Sequence, residues 1–153
     1  MPKIDLNTIE PTNRTGYPAP FNKEVDGRWY RRLAPAAGLT DFGASLVTLQ
    51  PGAWSSQRHW HEGEDELLVM IDGTAILAED EGETQLGAGD VAAFPKGVRN
   101  GHHLINRGTA ACTFLVVGGG TPTGGEYSDI DMIFTAAGDY RHRDGTPYDR
   151  NRV

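Results

Sequence analysis

Short segments typical of β-strands, each closed by a turn signal, follow one another through the middle of this 153-residue chain. No segment repeats its apolar residues at a helical period. The predicted strands cover residues 44–49, 66–71, 74–78, 83–86, 91–94, 102–106 and 110–117. Dipeptides such as Asp72-Gly73 between them are hairpin signals. This pattern predicts an all-β sandwich or barrel.

The two flanks of this region are less regular. Residues 1–40 contain Tyr17-Pro18-Ala19-Pro20-Phe21, which suits neither a helix nor a central strand. We expect this N-terminal segment to wrap the domain. The aromatic residues expected to pin it are Tyr17, Phe21, Trp29 and Tyr30. The predicted barrel core is 41–120, followed by a C-terminal strand near 129–134 and a polar tail within 121–153.

Composition excludes several classes of function. The net charge is −7 and no basic cluster interrupts it, which argues against nucleic acid or an anionic membrane as partner. The single cysteine, Cys112, excludes an intrachain disulfide and is expected to be a small buried apolar residue. The chain shows neither an apolar leader nor a run of eighteen apolar residues. These features predict one soluble, cytoplasmic domain.

The segment His59-Trp60-His61, followed by Glu66, predicts a metal site. Residues i and i+2 of a strand face the same side, so His59 and His61 can present two imidazoles to one point. Glu66 opens an apolar strand on the same face as Leu68 and Met70, where a carboxylate needs a partner. Two imidazoles and a carboxylate form a common ligand set for divalent transition metals.

A second histidine pair supplies the remaining candidate ligand. His102 and His103 are adjacent, so only one of them can face the site from a strand. His102 is the favoured ligand and His103 the alternative. Asp65 remains a possible substitute for Glu66, whereas Glu62 and Glu64 are interpreted as a solvated turn.

Other signals are weaker. The glycine-rich run 118–125 lacks both the Gly-Lys ending of a phosphate-binding loop and a following helix, so it is interpreted as a flexible loop. Trp54 and Trp60 flank the first histidines and either line a pocket or serve as packing residues.

These residues together resemble the two motifs of the cupin superfamily. The first is Gly52, six residues, His59-Trp60-His61, four residues, Glu66, six residues and Gly73. The second is Gly89, five residues, Pro95-Lys96-Gly97, four residues, His102, three residues and Asn106. The family usually has two residues rather than four before the last histidine. The flanks are also similar to those of a group of small single-domain bacterial cupins with no settled activity.

The resemblance implies a double-stranded β-helix, or jelly-roll barrel, with a metal near its open end. The implied ligands are His59, His61, Glu66 and His102, and their chemistry permits Fe, Mn, Ni, Co or Zn. Small cupins commonly dimerise by exchanging N-terminal strands, so a homodimer is expected.

Three functions fit such a site. A metal with open coordination positions favours a small metalloenzyme that acts on a small oxygenated metabolite, either sugar-isomerase-like or dioxygenase-like. If the substrate carries phosphate, the nearby basic residues are Arg58, Lys96 and Arg99. No general base is evident beyond the ligands. The alternatives are a non-catalytic small-molecule-binding or sensor cupin and a barrel that has lost its metal.

Overall fold

The computed structural model describes residues 3–149. Residues 1–2 and 150–153, which belong to the two predicted terminal segments, lie outside the described residues. The strands are β1 (Arg28–Arg32), β2 (Gly43–Leu49), β3 (His59–His61), β4 (Glu64–Asp72), β5 (Thr74–Glu79), β6 (Gly82–Gly87), β7 (Val91–Phe94), β8 (His103–Ile105), β9 (Cys112–Gly120), β10 (Gly124–Tyr127), β11 (Ile133–Thr135) and β12 (Tyr140–Arg141). A 3-10 turn (Leu6–Thr8) and one short helix, α1 (Leu33–Ala36), complete the described elements.

The strands form three antiparallel sheets. The largest has the order β1-β2-β9-β4-β7, the second β12-β11-β10-β3 and the third β6-β5-β8. The predicted all-β jelly-roll barrel is confirmed. Within residues 3–149, no helix has the length and apolar character that crossing a bilayer requires.

The core lies between the sheets, on the inward faces of the long strands. Antiparallel residues that pair directly point to the same side, and the pairs Leu49↔Cys112 and Met70↔Phe114 all point inward. All four side chains are at most 2% exposed. Cys112 is therefore the buried small residue that the sequence predicted. The turn between β4 and β5 is the expected one, with Gly73 at a φ of +73°.

The prediction of an irregular N-terminal segment was wrong in part. β1 and α1 lie inside it, and β1 pairs with β2 of the same chain. Tyr17 is buried. Phe21 packs against an apolar cluster that contains Tyr17 and Tyr127, and Tyr30 packs against the main core, which contains Leu49 and Met70. Trp29 is 39% exposed and does not pin the segment, because it is on the outward face of β1. Residues 28–32 are polar and rich in arginine, and they form a regular strand because they pair with β2.

The prediction of a flexible loop at 118–125 was also wrong. β9 continues to Gly120, and β10 begins at Gly124 and pairs with β3. A Cβ atom on Gly125 would lie 2.1 Å from the carbonyl oxygen of Trp60, so only glycine allows this approach. The glycines thus permit close strand packing here. The following strand, β11, covers Ile133–Thr135 rather than 129–134.

Candidate metal centre

Strand β3 positions the first two histidines. It pairs with β10, with His59 opposite Tyr127 and His61 opposite Gly125. His59 and His61 face one side, and Trp60 between them is buried on the other. The Arg99 guanidinium lies 5.3 Å above the Trp60 ring. The alternation predicted from His-x-His is therefore present, and Trp60 anchors the strand.

A backbone bridge decides which of the adjacent histidines joins them. His59 and His102 exchange two hydrogen bonds, His102 N to His59 O at 2.9 Å and His59 N to His102 O at 3.2 Å. Their side chains therefore point to the same side of the pairing. The structure brings His102 to the site, as expected, just before β8 begins.

Glu66 comes from the five-stranded sheet. It lies on β4 opposite Phe94 of β7, and its side chain is half-buried beside the inward Leu68. The Phe94 ring stacks on the His102 ring at 3.6 Å with an interplanar angle of 4°. This stacking fixes the orientation of His102 next to the carboxylate.

The four side chains converge, and we call them the histidine–glutamate cluster (His59, His61, Glu66 and His102). His59 Nε2 lies 3.1 Å from His61 Nε2. Glu66 Oε2 lies 3.6 Å from His61 Nε2, and Oε1 lies 3.4 Å from His102 Nε2. One ligand-type atom each from His59, His61 and Glu66 falls within 4.8 Å of the others. His102 adjoins this group of three through Glu66.

These separations fit ligands of a single ion. Two nitrogens bound at about 2.0–2.1 Å lie about 3 Å apart at a right angle and somewhat more at a tetrahedral angle. The ring-nitrogen distances and the contacts of Glu66 fall close to that range. The donor set, imidazole nitrogen and carboxylate oxygen, is also one that divalent transition metals accept.

The hydrogen bonds of the ring nitrogens in the cluster also favour a metal site. Gln57 O lies 3.0 Å from His59 Nδ1, and because a carbonyl oxygen only accepts, Nδ1 carries the proton. Nε2 of His59 is then the unprotonated nitrogen, and it faces His61 in the cluster. His61 Nδ1 and both ring nitrogens of His102 are buried without a hydrogen-bond partner among the described residues. A metal would satisfy His102 Nε2, and the cluster as a whole fits such an ion.

The protonation states follow from burial and charge. Burial, assisted by the neighbouring His102, lowers the pKa of His59 to about 3, so this ring is neutral near pH 7. Burial alone would raise the pKa of Glu66, but His102 and His61 outweigh it and hold that pKa well below its ordinary value. Burial would lower the pKa of His61, but Glu66 and Glu64 outweigh it and raise that pKa.

The alternative ligands lie elsewhere. Asp65 accepts a hydrogen bond from Lys96 N at 2.9 Å and is exposed. His103 donates from Nδ1 to Ser56 O at 2.9 Å, and its ring packs edge-on against Trp54. Trp54 is therefore a packing residue.

Two of the three basic residues that the sequence suggested for binding phosphate, Arg58 and Arg99, contact other side chains instead. Arg58 forms ion pairs with Asp80 and Asp129, which raise the pKa of its guanidinium despite burial, so its charge is already balanced. Arg99 covers Trp60 on the face opposite the cluster. Neither places a free cation beside the cluster.

His59, Glu66 and His102 of the cluster line a cavity of about 250 Å³, which we call the barrel cavity. Its lining combines apolar side chains with a few polar ones: Arg28, Tyr30, Ser45, Val47, Ser55, Ser56, His59, Glu66, Leu68, His102, His103, Leu104, Phe114 and Val116. Sequence reasoning missed Arg28. A strand prediction for 28–32 would have shown that Arg28 alternates with the outward Trp29.

Comparisons with known proteins agree with this geometry. Residues 45–118 match the family model of the cupin domain. A crystal structure of a sugar phosphate isomerase from a cupin superfamily, from Silicibacter pomeroyi DSS-3, is 45% identical with a TM-score of 0.91 and 97% of each chain covered. No curated protein matches the sequence.

Two more distant structures are similar. A putative sugar phosphate isomerase from Acidithiobacillus ferrooxidans ATCC 23270 is 25% identical, with a TM-score of 0.69 and 76% of each chain covered. A Cupin 2 conserved barrel domain protein from Salinispora arenicola CNS-205 is 26% identical, with a TM-score of 0.52. That match covers 60% of this chain and 74% of the other.

Proposed function

This chain belongs to the cupin superfamily, and from that premise we propose that it is a metal-dependent sugar-phosphate isomerase. The observation that carries the proposal is the convergence of three histidines and one carboxylate, of which His59, His102 and Glu66 line a small cavity. The 45% identity to a sugar phosphate isomerase over 97% of both chains supports the substrate class.

In this proposal His59, His61, Glu66 and His102 hold a divalent transition metal. A metal held there would supply Lewis-acid chemistry for a carbonyl substrate. Gln57 O holds the His59 tautomer, and Phe94 holds the His102 ring. Both contacts fix the direction of the ring nitrogens.

Aldose–ketose interconversion moves one proton between neighbouring carbons and one between their oxygens. Among the described residues Glu66 is the carboxylate that lines the barrel cavity, and its lowered pKa keeps it ionised, which suits a metal ligand rather than a general base. Val47, Leu68 and Phe114 form an apolar part of the cavity wall. A cavity of about 250 Å³ suits a small metabolite.

The proposal is tested with protein purified without a His tag, whose metal content is measured by elemental analysis. The metal-loaded protein is incubated with pentose and hexose phosphates in D₂O and followed by NMR. We expect conversion with deuterium incorporated at C1 or C2, lost in His61→Ala and kept in His142→Ala. His142 lies outside the cluster, paired with Asp131.

One equivalent of metal without deuterium exchange in any sugar phosphate would contradict the isomerase and favour a small-molecule-binding cupin. Consumption of dioxygen instead would favour the dioxygenase-like reaction. The homodimer and the cytoplasmic location stay predictions from the sequence.

A further inference from the structure

Arg28 is an arginine on the inward face of a barrel strand. In the β1–β2 pairing it lies opposite Leu49, which is 0% exposed in the core. Directly paired antiparallel residues project to the same side of a sheet, so Arg28 points into the barrel. It lines the same cavity as His59 and Glu66.

The Arg28 guanidinium is held by backbone oxygens rather than by a carboxylate within residues 3–149. Its NH1 group donates to Ser55 O at 2.8 Å and its NH2 group to Arg14 O at 3.5 Å. Its Nε is buried and has no hydrogen-bond partner among the described residues. No described carboxylate forms an ion pair with it, whereas Arg58, Arg107 and Arg143 each have at least one. The guanidinium carbon also lies 5.4 Å from the centre of the Tyr30 ring, so the partners of this half-buried cation are neutral groups and its charge is left for an anion to balance.

One short segment connects this guanidinium to the histidine–glutamate cluster. Ser55 O accepts from Arg28, and Ser56 Oγ lies 3.2 Å from His59 Nδ1. Arg28 and Glu66 are the only lysine, arginine, aspartate or glutamate residues that line the cavity in the described part of the chain. The cavity therefore presents a cation on one wall and the cluster with its carboxylate on another.

We propose that Arg28 binds the phosphate group of the substrate inside the barrel cavity. This inference rests on the proposed function and adds to it the residue that selects phosphorylated sugars. A guanidinium presents several donors in one plane, which suits a phosphate oxygen pair better than a point charge does. With its phosphate at Arg28, the sugar extends its oxygens towards the cluster.

The test uses inorganic phosphate as the probe, added to full-length, metal-free protein at constant ionic strength and followed by NMR. We expect saturable shifts of the Arg28 Nε–H and of the Ser55 and Ser56 amides. Arg28→Gln, which keeps a donor for Ser55 O but removes the charge, should weaken phosphate binding at least tenfold. Arg28→Lys, which retains a charge, should weaken it less. Arg107→Gln is the control and should leave phosphate affinity unchanged, because Arg107 is exposed and paired with Glu83.

Two further results separate this inference from the isomerase proposal. His61→Ala should still bind phosphate, so a protein that lacks isomerase activity can still confirm the anion site. Conversely, an active isomerase whose KM for a sugar phosphate is unchanged in Arg28→Gln would overturn the inference alone. Equal phosphate affinity in Arg28→Gln and wild type, with both folded, would also overturn it.

Discussion

The two halves of the barrel interior differ although the same strands build both. Along β2 the inward positions change from Leu49 and Val47 to Ser45, and along β4 from Met70 and Leu68 to Glu66. In the packed half, Leu49 and Met70 are 0% and 1% exposed. In the open half, buried ring nitrogens of His61 and His102 have no hydrogen-bond partner among the described residues.

This difference teaches where stability and chemistry reside. The packed half buries apolar surface, which is the main source of folding free energy. The open half keeps polar groups that destabilise an empty barrel but suit a cation. Because Glu66 and Met70 share one strand, tight packing at one end fixes the carboxylate at the other.

The largest expected effect tests the packed half. Met70→Ala should lower the free energy of unfolding by about 2–5 kcal/mol, because it leaves a cavity in close-packed surroundings. Metal stoichiometry should stay unchanged. Urea denaturation with a chelator present measures the first quantity, and elemental analysis the second. A loss under about 1 kcal/mol would show that this half is not tightly packed.

The next prediction concerns the open half. His61→Ala should lower metal affinity at least a hundredfold, because it removes a direct ligand rather than a supporting residue. His103→Ala should change it less than tenfold, since that ring packs on Trp54 outside the cluster. Competition with a chelator of known affinity measures both. Equal losses would contradict the assignment of the strand faces.

Acidification should affect the open half first. The pKa of His59 falls from an ordinary 6.5 to about 3 in the folded state, so the unfolded chain binds more protons between these values. The free energy of unfolding should therefore decline as pH falls from about 6.5 towards 3. The lowered pKa of Glu66 acts in the same direction, and the raised pKa of His61 opposes it.

Urea denaturation of metal-free protein at several pH values tests this prediction. His59→Gln should flatten the decline, whereas His142→Gln should not. Bound metal should also be released below about pH 6, since its imidazole ligands must be neutral. A stability that does not change between pH 7 and pH 4 would contradict the account.

The smallest expected effect separates direct from supporting contacts. Ser56→Ala removes a hydroxyl 3.2 Å from His59 Nδ1, but Gln57 O still accepts the proton of that nitrogen. Metal affinity should fall by less than about tenfold. Ser45→Ala, which removes another hydroxyl from the same cavity, is the control. A hundredfold loss in Ser56→Ala would show that the hydroxyl, not the carbonyl, fixes the His59 tautomer.

Much of the fold and the site was predictable because the signals are local. Strand alternation placed His59 and His61 on one face and Glu66 with Leu68 and Met70 on another inward face. The Asp72-Gly73 turn and the buried Cys112 are equally local properties of the chain. The resemblance of the two motifs to those of the cupins then implied the jelly-roll barrel that brings these strands together.

Other features depended on tertiary contacts that no local pattern contains. The glycine-rich run 118–125, which the sequence predicted to be a flexible loop, forms the end of β9 and the start of β10. Gly125 makes this possible because it allows the backbone of β3 to approach. His102 rather than His103 joins the cluster because its backbone pairs with His59. Arg28 faces the cavity because β1 adds to β2. Sequence alone determined which side chains share a strand face. Tertiary structure decided which faces meet, because hydrogen bonds between strands distant in sequence fix their register.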